Sequence, residues 1–220
     1  MRAAAPFDPA CRRCSRLATF LDEVSRLHPD YFAAPIPSFG DPEAAFLVVG
    51  LAPGMHGANR TGRPFTGDHA GLLLYQTLFD AGFSNQPDGL DPGDGLALRN
   101  CRITNAVRCL PPANKPLPEE MRHCNDYLLH ELTAPPAPRV ILALGQIAHQ
   151  AVMHAFQLRL KDYPFGHGAR HVLPSGQHLL DSYHCSRYNT QTRRLTPEMF
   201  AKVMHEARAL LVAEGAMQET

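Results

Sequence analysis

Five apolar residues without a polar break, Ala45-Phe46-Leu47-Val48-Val49, run directly into a nineteen-residue segment, 50–68, that carries five glycines and two prolines. A run this short and uninterrupted reads as a strand buried on both faces, as in a parallel sheet covered by helices. The segment after it cannot form a long regular element. Glycine frees the backbone, and proline fixes φ and removes a donor. It is therefore a long loop on the end of a buried strand, and such loops in compact domains are usually functional. Between its glycines stand His56, Asn59, Arg60, Arg63, Phe65 and Asp68. A loop of this composition can hold a planar aromatic ligand and a phosphate together.

The rest of the chain alternates in the same style. Leu17, Phe20, Leu21, Val24 and Leu27 recur at helical spacing, with Ser15 as the expected cap and Pro29 as the stop. A proline-rich linker, 34–42, precedes the first strand, and a helix after Asp68 ends at Gly82. Further strands are predicted over 102–107, 139–144 and 179–183, and further helices over 118–132, 145–156 and 196–214. Residues 84–98 read as a polar surface excursion. Strands alternating with helices predict a mostly parallel, four-stranded sheet covered on both faces. Ligands in such folds bind beyond the carboxyl ends of the strands. The loop from Gly50, Asn105, and the segment His184 to Asn189 should therefore meet in one crevice.

With 220 residues the chain fits one α/β domain, or at most two small ones, and we read 1–220 as a single domain. Lys plus Arg equals Asp plus Glu, so the protein does not simply coat nucleic acid. Positive charge is local. Arg187, Arg193 and Arg194 lie in a stretch, 184–196, without an acid, and Arg60 and Arg63 sit in the first loop. That distribution suits a small phosphate footprint. No apolar run reaches the length of a membrane span, and residues 1–10 lack an apolar signal core, so a cytoplasmic protein is expected.

Six cysteines in such a protein are not expected to pair as disulfides. Cys11 and Cys14 form a C-x-x-C knuckle near the N-terminus, and Cys109 and Cys124 lie fifteen residues apart. These four could hold zinc or an iron–sulfur cluster through thiolates, and spacing does not choose between them. Cys101 and Cys185 have no partner at a ligand-like spacing.

Taken together, Gly50-Leu51-Ala52-Pro53-Gly54, Arg60-Thr61-Gly62-Arg63-Pro64-Phe65-Thr66-Gly67-Asp68, Asn105 before Val107-Arg108-Cys109-Leu110-Pro111-Pro112, and His184-Cys185-Ser186 resemble the family-5, or B-type, uracil-DNA glycosylases. The resemblance extends from Cys11 to the last helix. It implies a three-layer αβα sandwich around the sheet and a 4Fe-4S cluster on Cys11, Cys14, Cys109 and Cys124, with zinc the lesser alternative. It also implies removal of uracil, hypoxanthine and xanthine from DNA by a monomer without a catalytic metal.

Each position then has a chemical role. An enzyme that cuts the base–sugar bond must flip the nucleotide into a pocket. The resemblance assigns that pocket to Gly50, Ala52, Pro53, Gly54, Phe65, Asn105, His184 and Ser186. Phe65 offers a face for stacking, and the Asn105 amide matches the carbonyl and N–H of a uracil edge. His184 can donate to the oxyanion developing on the departing base. Asp68 can orient water and stabilise the sugar cation, or cap the helix that follows, or both. Arg60, Arg63, Ser186 and Arg187 are assigned to phosphates. The rival from another class is a metal-stabilised DNA-damage-binding protein of the same fold that has lost turnover.

Overall fold

The computed structural model describes residues 4–218. Along the chain these fold as α1 (Ser15–Leu27), β1 (Phe39–Gly40), β2 (Phe46–Gly50), α2 (Ala58–Thr61), α3 (His69–Asp80), β3 (Cys101–Asn105), α4 (Pro118–Thr133), β4 (Val140–Leu144), α5 (Gln146–Ala155), β5 (Arg170–Val172), β6 (His178–Ser182), α6 (Arg187–Gln191) and α7 (Pro197–Ala213). One sheet runs through the molecule in the order β1-β3-β2-β4-β6-β5. Its four central strands are parallel, and β1 and β5 pair antiparallel at the two edges.

The apolar strands divide by residue parity, as a period of two requires. Phe46, Val48, Val140, Leu142, Leu144 and Leu180 pack with residues of α3 and α7 on one face. Leu47, Val49, Ile141, Ala143 and Leu179 pack with α4 and α5 on the other. A smaller core under α1 joins Leu17, Leu21 and Val24 to Val107, Cys109, Leu110 and Cys124. The three-layer αβα arrangement is as expected, with one difference. The sheet has six strands because two short ones, β1 and β5, extend the predicted four. Strands of two and three residues carry no readable periodicity, and each exists through its neighbour, β3 or β6.

The predicted helices and central strands sit within a few residues of their expected limits. Ser15 does not cap α1. It is the first helical residue, Cys14 holds the cap position, and no side chain bonds the helix end there. No described helix is long and apolar enough to cross a membrane.

Candidate active site

The loops leaving the carboxyl ends of β2, β3 and β6 enclose a cavity of about 420 Å³, within the usual range for small-molecule sites. Ala52, Gly54, Phe65, Asp68, Asn105, His184, Ser186 and Arg187 all line it. The expected convergence of three separate segments is therefore what the fold produces. Gly50, Pro53, Arg60 and Arg63 are not in its wall. Gly50 stands behind it: a methyl group there would collide with Asn105 Oδ1 and approach the Phe65 ring to 2.8 Å. The glycine lets both functional side chains close over the strand end.

Asn105 ends β3 opposite Gly50 in the parallel ladder. It is only 3% exposed, yet its Oδ1 has no hydrogen-bond partner among the described residues. A buried acceptor without a partner costs roughly 1–3 kcal/mol, so this atom is poised for a donor on a ligand. Phe65, expected as a stacking face, is also part of the core. It packs into the core on the α3 side, 6% exposed, and one face lines the cavity. Its φ of +54° is costly for a bulky residue and is held by surrounding contacts. The Phe65 and His184 rings lie nearly parallel, with centroids 6.0 Å apart.

Asp68 caps α3, its Oδ1 accepting from Gly71 N at 2.9 Å. Burial raises its pKa against the pull of the Gly71 and Ala70 amides. His184 is pushed down to about 4 by burial, so the imidazole is neutral over the physiological range. Its loop is stapled from within, since Asn189 Nδ2 donates to the His184 carbonyl at 2.8 Å and Ser186 caps α6 by accepting from Asn189 N.

These two shifts act on stability in opposite senses. The unfolded chain protonates a histidine near 6.5, whereas native His184 resists until about 4. Stability contributed by this residue is therefore present above pH 6.5, is lost as pH falls from 6.5 to 4, and is flat below that. Native Asp68 takes its proton before the unfolded chain does, which favours the native state as pH falls. Urea titrations of the parent and His184→Gln should converge between pH 6.5 and 4; parallel curves across that window would remove the assigned shift.

The sequence itself carries the same signature. A profile of the uracil DNA glycosylase superfamily matches residues 37–208. The chain is 54% identical over 207 residues to a type-5 uracil-DNA glycosylase of Thermus thermophilus, covering 91% of this chain and 94% of that one. It belongs to the uracil-DNA glycosylase superfamily. A type-5 uracil-DNA glycosylase of Pyrobaculum aerophilum is 41% identical over 203 residues, 90% of this chain and 88% of that one. A type-4 uracil-DNA glycosylase of Archaeoglobus fulgidus is 33% identical over 150 residues, 68% and 61% of the two chains.

For a glycosylase of this superfamily the arginines are not equivalent. Arg63, expected at phosphate, is instead buried, with its guanidinium forked onto Asp94 at 2.9 and 2.7 Å and its Nε donating to Thr66. The Arg63 hydrogen bond holds the Asp94 carboxyl well below the usual carboxylate range. The 84–98 excursion supplies that partner, and its sequence gave no sign of reaching back to the loop. Arg60 is half-buried and donates from Nε to the His56 carbonyl at 2.9 Å. Arg187 is exposed at the cavity rim. Arg187→Ala should weaken binding to all DNA alike and lower the salt slope by about 1. Arg63→Ala should leave that slope unchanged and cost about 3 kcal/mol of stability, as breaking a buried pair does. Binding across a salt series and urea unfolding check both, and a changed slope in the Arg63 variant would return it to the phosphates.

One polar wall residue escaped the sequence reading. Asn114 lines the mouth from a turn in which Ala113 and Asn114 both have positive φ, 54° and 56°. The string Pro-Pro-Ala-Asn was the available signal for that turn. Tyr188, next to Arg187 on α6, is 71% exposed.

The four cysteines of the expected ligand set gather under α1. Cys109 and Cys124 are in its core and Cys14 packs against them. Burial, then the charges of Cys124, Glu120 and Cys11, raise the Cys14 thiol to about 11. Burial and the other three thiols likewise push Cys109 up. Cys11 is the exception: hydrogen bonds with Tyr127 and Arg13 outweigh its burial and lower it. Arg108, fully buried beside Cys109, pairs with Glu131 of α4, which also accepts from Arg102 and Thr104. That network holds the exit of β3 against the helix that carries Cys124.

Proposed function

We propose that the protein is a monofunctional DNA glycosylase of base-excision repair that flips uracil out of DNA and hydrolyses its N-glycosidic bond. The observation that carries this reading is the unpartnered, buried Oδ1 of Asn105 in one cavity with Phe65, Asp68 and His184. The flipped base stacks on Phe65 while the Asn105 amide meets its polar edge. Neutral His184 donates to the oxygen on which charge develops as the base departs, an electrostatic contribution without a proton transfer. Asp68, one oxygen fixed by the cap, orients water with the other and faces the sugar cation. Ser186, Arg60 and Arg187 engage the flanking phosphates, and Tyr188 fills the stack the nucleotide leaves, as inserted wedges do. Ala52 and Gly54 give the base close access to backbone, and Gly50 and Pro53 shape the loop from behind.

The type-5 names of the relatives support uracil as substrate. Hypoxanthine and xanthine are proposed as further substrates, processed by a cytoplasmic monomer acting on chromosomal DNA without a catalytic metal. Alkaline nicking of a uracil-containing oligonucleotide tests the assignment. Binding without nicking would establish the rival, a damage-binding protein of the same fold. Asn105→Ala should lower uracil excision at least tenfold more than hypoxanthine excision, because the amide matches the uracil edge better. A uniform loss in single-turnover assays would mean that Asn105 only pins the loop.

Cys11, Cys14, Cys109 and Cys124 are proposed to hold a 4Fe-4S cluster. The four thiols act electrostatically on one another beneath α1, which supports one group shared among them. When bound, the cluster supplies a cross-link between the N-terminal knuckle and the segments that follow β3. None of its ligands lines the cavity, so its part is structural.

A further inference from the structure

Three side chains outside the catalytic cavity converge near the β5 edge of the sheet. His149 comes from the first turns of α5, His171 from β5 and Asp181 from β6, and one ligand atom of each lies within 4.8 Å of the other two. Asp181 is fully buried. Its Oδ1 lies 2.8 Å from His149 Nδ1. Its Oδ2 has no hydrogen-bond partner among the described residues and sits 3.7 Å from His171 Nε2. A carboxylate taken wholly out of water is costly unless all of it is satisfied. The orphaned oxygen, aimed between two imidazoles, marks a place for a cation.

The surroundings fit that occupant. His149 Nε2 lies 2.9 Å from the Tyr163 carbonyl. Metal-binding histidines characteristically make this contact with their other nitrogen, because it fixes the tautomer that presents Nδ1 as ligand. His171 Nε2 rests 3.2 Å from the Pro164 carbonyl, a long contact that it can exchange for an ion. Two imidazoles and one carboxylate suit zinc and its neighbours, with a fourth position left for water.

We infer that His149, His171 and Asp181 form a binding site for a divalent transition-metal ion, zinc being the best match. The ion is held between His149 Nδ1 and the Asp181 carboxylate, replacing their direct contact. The half-buried His171 lies on the short edge strand β5, which gives the ion its route inward. The site is structural and distinct from the cysteine quartet. It ties α5, β5 and β6 together three residues before His184, and the α5 cap, Gly145, itself packs against the His184 side chain.

The test uses the full chain with its cysteine-held group intact, freed of loose divalent ions and then equilibrated with micromolar zinc. Bound zinc is measured by mass spectrometry and Tm by calorimetry. The parent should retain one added equivalent and gain about 5 °C in Tm at zinc well above Kd. His171→Ala and Asp181→Asn should lose both effects. All four cluster cysteines remain in these variants, so zinc taken up by thiols would persist in them. Equal uptake by the parent and His171→Ala, or no uptake by the parent, would overturn the site and leave the trio a buried ion pair. Should Asp181→Asn fail to fold, the edge-strand variant His171→Ala decides alone.

Discussion

Replacing Asp68 with asparagine should reduce single-turnover excision of uracil by on the order of 10²–10⁴-fold while leaving the protein about as stable as before. The asymmetry follows from the two jobs of one side chain. Its Oδ1 caps α3 through Gly71 N, and asparagine caps about as well as aspartate. The residue also lines the cavity, where in the mechanism proposed above its negative charge would support a cationic sugar and orient water. Only the second job needs the charge. DNA affinity should change little, because an interaction confined to the transition state is lost from the rate and not from binding. Burial raises the Asp68 pKa, so the acid limb of the parent's pH–rate profile should lie above the ordinary carboxylate range. That limb should vanish in the variant. Neutral His184 should add no limb near 6.5, its own ionisation lying near 4. Excision by Asp68→Asn at the parent rate would reduce the aspartate to a cap.

The second large effect is expected at the cysteines. Changing Cys109 or Cys124 to serine should remove iron and its visible absorbance and lower Tm by on the order of 10 °C or more, because metal binding energy in such a site is folding energy. Cys14→Ser should behave alike, since Cys14 packs against the same core. Cys101→Ala is the control. That thiol is fully buried among the α3-side core residues, so its loss should cost about 1 kcal/mol of packing and leave iron content unchanged. Iron lost from the Cys101 variant, or retained by the Cys109 variant, would overturn the assigned ligand set.

Much of this architecture was legible because it rests on runs and periods. The strands at 46–50 and 140–144 are unbroken apolar stretches, whose buried faces follow directly from parity, and Leu179-Leu180 mark the strand at 178–182. The strand at 101–105 could be read despite polar residues, since Ile103 sits between turn signals on either side. The convergence of Gly50, Asn105 and His184 followed from topology, since parallel strands open their carboxyl ends to one side. What escaped depends on partners far away in sequence. Arg63 looks like a phosphate ligand until Asp94 folds back onto it. Phe65 looks like a stacking face, and only packing shows that its ring also anchors the loop in the core while lining the cavity. His149, His171 and Asp181 are three ordinary residues on three elements, with no spacing to connect them. Asn114 enters the wall through a backbone turn, which its side-chain chemistry alone does not announce.

The pairing of Gly50 with Asn105 at the ends of β2 and β3 constrains how this enzyme can vary. Asn105 faces the cavity because it shares parity with Cys101 and Ile103, and a shift of one residue in the ladder turns it toward the α4–α5 side. Base preference can therefore drift by exchange of side chains at the strand ends, but not by gain or loss of a residue within either strand. Insertions and deletions in β2 and β3 should be purged from functional descendants of this sequence, while the 84–98 excursion between them remains open to changes in length wherever Asp94 can still reach Arg63.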